Sequence, residues 1–327
     1  MLRRDALKLG LGLGVAAALP TATGTATAAE QANAVERCLF HLPPARPVSR
    51  DSLVRALTTA RDLYHEARYA ELGAGLPRLL ADSAGNRFHD IAARSYVLLA
   101  QLAIKNYQAY SWVAAERARG HAEQTSSPVI AAEAAHSMAI AMRRSGEYQA
   151  SVDHLTAAAA NLGERPDEVA MRGSLLLTAS YSAAQGRWRA QAMDFIGEAE
   201  ELATRRDAQG QRLYIPGVFS EVQAQGFRIS VHHALREPDQ AINHAQKIDV
   251  LALPNAERRG RMCMDVARVY MSLDEPTRAF ATLRQLDQWA PQEARRPKIR
   301  ALATELATTK PELPGIRRFA EHIGAAA

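Results

Sequence analysis

Ten histidines, two cysteines and a spread of carboxylates are the raw material for chemistry in this chain of 327 residues. Metal binding needs ligands that point the same way. His232 and His233 adjoin on a helical stretch and so diverge by about 100°, poor geometry for holding one ion. The stretch from His65 to Tyr69 starts like a zinc helix but has no second histidine four residues on. Cys38 and Cys263 are far apart, with neither CxxC spacing nor a nearby histidine, and read as small packed side chains. Two lone thiols suit a reducing compartment better than an oxidising one. Glu200 and Glu201 stand among basic residues and read as charges on a solvated helix face. The chain has no GxSxG, HExxH, Walker loop or EF-hand loop. "GLGLG" at residues 10–14 has neither a preceding strand nor an acidic ribose partner. The expectation is a protein without catalytic residues, metal or cofactor.

Binding is a different matter. His136, Arg143, His233 and Arg268 fall on stretches that read as the first helix of successive helical hairpins, in a register that faces a shared groove. Arginines in such a groove hold the carboxylates of an extended peptide through charge-assisted hydrogen bonds. The plainer alternative is that these four are ordinary exposed helix residues. The arginines at 143 and 144 also suit a helix C-terminus, where cations complement the dipole.

The elements that must position these residues repeat along the chain. "MAIAMRRSGEYQASVDHLTAAAANL", residues 138–162, aligns with "TASYSAAQGRWRAQAMDFIGEAEEL", residues 178–202, at an offset of 40. Gly146 then matches Gly186, Tyr148 matches Trp188, Ala150 matches Ala190 and Leu155 matches Phe195. A third copy spans 265–291, with Ala267, Tyr270, Ala279 and Leu283 in the same roles. Weaker copies bring the total to about six units, each a helix, a tight turn at Gly, Asn or Glu-Pro, and a second helix. Ala139, Ala179 and Ala267 sit where two helices must approach closely, and Tyr107, Tyr148 and Trp188 follow the turns as gap-fillers. One hairpin cannot bury its apolar face alone, so neighbours must stack. The expected fold is all-α: tetratricopeptide-like hairpin repeats, closer to ~40 than to ~34 residues each, wound into a right-handed solenoid over 51–327. A final amphipathic pattern, with Ile299, Leu302 and Leu306 in phase, reads as a helix capping the last repeat.

Two segments precede this body. Residues 31–50 contain Pro43, Pro44 and Pro47 and read as a linker, with Ser49 or Asp51 capping the next helix. Residues 1–30 read as a leader: Arg3 and Arg4 in an RRxxLK pattern, an apolar run from Leu9 to Leu19, then Ala26-Thr27-Ala28 as a cleavage site. The twin arginines resemble a twin-arginine export signal, although Ala6 stands where a bulky residue is usual. The apolar run is too short to span a membrane, so no stable insertion is expected. Hydrophobic residues are 47% and charged residues 23% of the chain, an ordinary globular balance that excludes wholesale disorder. Of the net charge of +5, Arg3, Arg4 and Lys8 against Asp5 contribute +2, and the rest argues only weakly for a polyanionic partner.

"YSWVAAERARGHAE", "MAIAMRRSGEYQASVDHLTAAA", "PNAERRGRMCMDVARVYMS" and "APQEARRPKIRAL", in that order and spacing, resemble actinobacterial helix-turn-helix transcriptional regulators of the XRE type. The resemblance covers roughly 51–327 and implies a tetratricopeptide-like sensor region. Such regulators carry an N-terminal DNA-binding domain, joined by a segment that often holds an "RR…L" stretch like the one at Arg3. This sequence opens at that segment, so no DNA-contacting residue carries over and direct DNA binding is not expected of it. Three readings stay open: a start inside a longer gene, a stand-alone sensor half, and a leader that has become a true export signal. The resemblance implies an intracellular, non-catalytic regulator or adaptor that binds a peptide, a small signal or a protein partner, or a second copy of itself. The leader implies an exported binding protein.

Overall fold

The computed structural model describes residues 35–106, 108–205 and 219–325. The leader with Arg3 and Arg4, Tyr107 and residues 206–218 lie outside these residues.

Every regular element among the described residues is helical. Six successive helical hairpins account for most of them: α1 (Arg50–His65) with α2 (Tyr69–Gly85), α3 (His89–Lys105) with α4 (Ser111–Ala122), α5 (Pro128–Arg144) with α6 (Tyr148–Ala160), α7 (Pro166–Gln185) with α8 (Arg189–Thr204), α9 (Glu221–Ala234) with α10 (Pro238–Ala245), and α11 (Ala256–Ser272) with α12 (Pro276–Trp289). Three further α-helices follow, α13 (Pro291–Ala294), α14 (Pro297–Thr309) and α15 (Ile316–His322), and a 3-10 turn, Val250–Ala252, lies between α10 and α11. Local chemistry starts many of these helices. Ser49, Ser127, Ser220 and Asn255 accept from backbone N–H groups of the first turn. Pro128, Pro166, Pro238 and Pro276 occupy the first helical position, where no N–H is needed.

One turn recurs. Ala67, Arg87, Gly146, Arg187, Arg236 and Asp274 all have left-handed backbone. The next residue in each case donates its N–H five residues back, Arg68 to Leu63, Phe88 to Ser83, Glu147 to Met142, Trp188 to Ala183, Glu237 to His232 and Glu275 to Tyr270. This is the Schellman closure, which satisfies the last carbonyls of the first helix. It also sets the register of the helix that follows, the second of a hairpin in every case but Arg87, which joins α2 to α3. Five residues beyond each left-handed position lies a buried residue: Leu72, Ala92, Ser151, Ala192, Ala241 and Ala279.

That register corrects the sequence alignment by one residue. Arg187, not Gly186, is the counterpart of Gly146, and Ile196, not Phe195, is the counterpart of Leu155. Leu155 and Ile196 are both fully buried, while Phe195 is only partly so. Gly186 is right-handed at φ −73°, and a Cβ on it would meet the Trp188 ring at 2.9 Å. Glycine is there for an aromatic neighbour rather than for the turn. Ala139, Ala179 and Ala267 are buried at helix contacts as the spacing required.

The first helices of the hairpins, α1, α3, α5, α7, α9 and α11, each touch the next, and α11 also touches α1. The last hairpin therefore returns to the first, and these six helices surround a shared interior. Residues 35–49 are not a free linker. Val35, Cys38 and Leu39 are buried with α2, and Arg46 binds Asp82 through its backbone N–H at 2.9 Å and its guanidinium at 2.6 Å. After a short helical turn at 35–37, the prolines keep residues 41–49 out of helix, and this strip lies along α2. At the other end, Ile299 and Leu306 of α14 are buried against the α12 hairpin. No helix among the described residues is long and apolar enough to cross a membrane.

Candidate functional site

Spacings of three, four and seven residues on a helix present side chains to one side. On α5 they bring His136 and Arg143 to the interior, and on α11 they bring Arg258, Arg261 and Asp265. With Gln101 and Lys105 from α3 and Thr178 and Tyr181 from α7, all of these but Asp265, which lies just beside it, line a cavity of about 460 Å³ inside the ring of helices.

His136 is buried. Its Nε2 lies 2.8 Å from Thr178 Oγ1, and that hydroxyl donates in turn to the Ser174 carbonyl at 3.2 Å. Nδ1 has no partner; with the hydroxyl proton on the Ser174 carbonyl, Nε2 carries the ring proton and Nδ1 is a bare acceptor. Burial, with Arg143, Arg258 and Arg261 beside it, pushes the His136 pKa down to about 3, so the ring is neutral near pH 7. Arg143 is 9% exposed and stacks over the Tyr181 ring at 4.7 Å from its centroid. It makes no ion pair among the described residues. Burial pulls its pKa down to about 10, with Arg261 and Arg144 adding to the fall, and it remains charged.

A buried ion cluster closes one side of the cavity. Lys105 Nζ of α3 binds Glu257 Oε1 of α11 at 2.7 Å and also Glu293 of α13. Glu293 further accepts from the Tyr69 hydroxyl and from Arg296 at 2.5 Å, and Glu257 pairs with Arg258 at 3.0 Å. Arg296 Nε donates to the Lys105 carbonyl at 3.2 Å. Burial pushes both carboxyls upward, but the cations around them outweigh it and hold both below the usual carboxylate range. Lys298 stands nearby, with its pKa pushed down to about 7 by burial and by the charge of Arg268.

His233 and Arg268 lie in a second cavity of about 570 Å³, together with Arg187, Arg236 and Ser272. His233 Nε2 is 3.1 Å from Ser272 Oγ, and Arg268 is 3.8 Å from Asp265. Burial pushes His233 down to about 4, with Arg268 adding to the effect. Tyr148, Tyr181 and Gln185 line both cavities, so the two are neighbours along one inner surface. The four residues singled out from the sequence thus divide in pairs between adjoining cavities, and His136 and Arg143 are buried rather than displayed along an open groove.

Other expectations shift in detail. His232 turns away from His233 to bind Glu237 at 2.7 Å and to stack on His244. Glu200 is not merely solvated: it takes both nitrogens of an Arg228 fork, at 2.5 and 2.6 Å, tying α8 to α9. Cys38 and Cys263 are buried, and burial drives the Cys263 thiol up to about 12. Lys105, Glu257, Glu293 and Lys298 escaped the sequence reading. Their partners are more than a hundred residues away in several cases, and no local spacing announces such pairs. Charged residues at inward helical phase, as at Lys105 and Arg261, were the available signal.

No protein family matches this chain, and no curated protein matches it. Among solved structures it is similar to Ton1535 from Thermococcus onnurineus NA1, with 14% identity over 90% of this chain and 91% of that one and a TM-score of 0.29. At that score nothing carries across from one protein to the other.

Proposed function

We propose that this chain is a non-catalytic regulatory or adaptor protein, akin to the sensor region of a transcriptional regulator, whose tetratricopeptide-like hairpins form a right-handed solenoid and enclose a small signal. The observation that carries this reading is the interior cavity with Arg143 buried on its wall and no acidic partner for it. A cavity of about 460 Å³ is the size of a small-molecule site, which lie at roughly 300–1,000 Å³. The return of α11 and α13 onto the first hairpins narrows the inner surface, which favours a compact ligand over a long extended peptide. Binding inside such a ring couples readily to a partner protein outside it, because ligand contacts with several hairpins change how they stack.

The test is native mass spectrometry of the tagged protein purified from its own host, with tandem capture of associated proteins. A bound small species, lost on denaturation, supports the reading. A ligand-free, partner-free protein, or turnover of a co-purified compound, overturns it. The leader motif favours a second reading, an exported binding protein. The same spectra decide it. A chain starting near Ala29 outside the membrane is expected of an exported protein, and a cytosolic chain retaining Met1 excludes export.

A further inference from the structure

The cavity has an uneven charge balance. Glu257 is its one acidic lining residue among those described, against Lys105, Arg143, Arg258, Arg261 and Lys298 among others. That carboxylate is ion-paired with Lys105 and Arg258, although its Oε2 makes no hydrogen bond. The adjoining acids are taken as well: Glu293 by Lys105, Arg296 and Tyr69, and Asp265 by Ser230 and the arginines of its own helix. Arg143 has only an aromatic face, which orients the guanidinium and leaves its N–H edge unused. Arg261 Nε is buried and makes no hydrogen bond; its one ion pair is a long contact with Asp265 at 3.5 Å. Lys298 makes no hydrogen bond or ion pair among the described residues. Burying cations close together with fewer anions than cations is costly, because each loses water and repels the others. A bound anion removes both costs. The second cavity adds Arg187, Arg236 and Arg268 and, among its described lining residues, no acid. It forms a cationic approach to the first, of the kind that focuses an anion toward a site.

The same wall holds the bare Nδ1 of His136. An unpaired buried acceptor is satisfied only by a donor, so an anion that also bears a hydroxyl or a protonated oxygen meets both requirements.

We infer that the interior cavity binds a compact polyanion, a hydroxy-polycarboxylate or a phosphate-bearing small molecule, through Arg143, Arg261 and Lys298, with His136 accepting from its hydroxyl or protonated oxygen. This rests on the ligand-binding reading above and states the class of ligand. Carboxylate and phosphate sources share paired anionic oxygens, and two probes separate them.

The experiment is calorimetric titration of the full chain with citrate and with pyrophosphate at constant ionic strength, beside tricarballylate, which is citrate without its hydroxyl. We expect one site per chain for at least one probe, at least tenfold weaker binding in Arg143→Gln, and unchanged binding in Arg55→Gln on the exposed face of α1. Binding of citrate at least threefold tighter than of tricarballylate, with the difference lost in His136→Phe, is expected if carboxylate is the preferred source. Should Arg143→Gln fail to fold, Lys298→Gln is read in its place. The inference is overturned if no probe binds the wild type, or if the folded variant binds as well as the wild type. If native mass spectrometry then shows a neutral or cationic species in the protein, the polyanion is wrong and ligand binding stands. If it shows no ligand and no partner, ligand binding itself has failed.

Discussion

At the scale of the residue, burial decides the charge of the groups that matter. His136 has its pKa near 3, and burial holds His65 and His233 near 4, below the ordinary histidine value of about 6.5. These rings are neutral in the native protein and take up protons on unfolding. Their contribution is whole above pH 6.5 and falls away as the pH drops toward 4. Each adds a slope of about 1.4 kcal/mol per pH unit in that window. Denaturant unfolding across pH 4–7 is expected to show this loss, and His136→Gln is expected to remove one proton from the linkage; an unaltered slope in the variant counts against it. Lys298 works in the opposite window. It faces Arg261, Asp265 and Arg268 of α11 and Arg296, and burial brings its pKa down to about 7 from an ordinary 10.5. Between those values the unfolded chain holds a proton that the native state lacks, so stability rises with pH from 7 to 10.5. Below 7 the cost of the buried charge is fully present. Lys298→Met is expected to raise stability at pH 6 by on the order of 1–2 kcal/mol and to flatten the rise. A variant less stable than the wild type at pH 6 would contradict this.

At the scale of the element, the Schellman turns set the spacing of the hairpins, and among those described only Gly146 uses glycine in the left-handed position. Arg87 has an exposed side chain and φ of 59°. Arg87→Gly relieves the steric cost of that backbone, against a small entropic loss, and is expected to stabilise by about 0.5–1 kcal/mol in thermal or denaturant unfolding. A destabilised variant would mean that the side chain matters more than the backbone. Gly173 of α7 is a different kind of glycine. Phe219, fully buried, sits on it so closely that a Cβ would fall 2.1 Å from the ring. Gly173→Ala is expected to cost about 1–3 kcal/mol by displacing that ring, and Phe219→Leu in the same chain to recover part of it.

At the scale of the whole molecule, the ion cluster joins the two ends of the array. Lys105 reaches residues 152 and 188 positions away. Lys105→Met leaves Glu257 and Glu293 buried without the lysine they share. It is expected to cost about 3–5 kcal/mol, more than the loss of an exposed pair, which is worth about 0–1. Solution scattering is expected to give a larger radius of gyration for this variant as the first and last hairpins part. An unchanged radius together with unchanged stability would show that the ends are held by packing alone.

Helix formation and the hairpin repeat were legible in the sequence because both are local. Apolar period, turn residues between helices, the Ser49 cap, and small residues such as Ala139 and Ala179 report on neighbours a few residues away. Even there, a visible glycine at 186 drew the alignment one residue out of phase, since the turn is set by backbone hydrogen bonds that an arginine can also complete. His136 and Arg143 were legible as inward-facing, but not as buried. What only the tertiary structure decided is the closing of the array. Small rotations between stacked hairpins accumulate over six units, and no local pattern states their sum. That sum brings Glu257 and Glu293 to Lys105, gathers the inward arginines around one space, and makes a cavity where the sequence alone suggested an open groove.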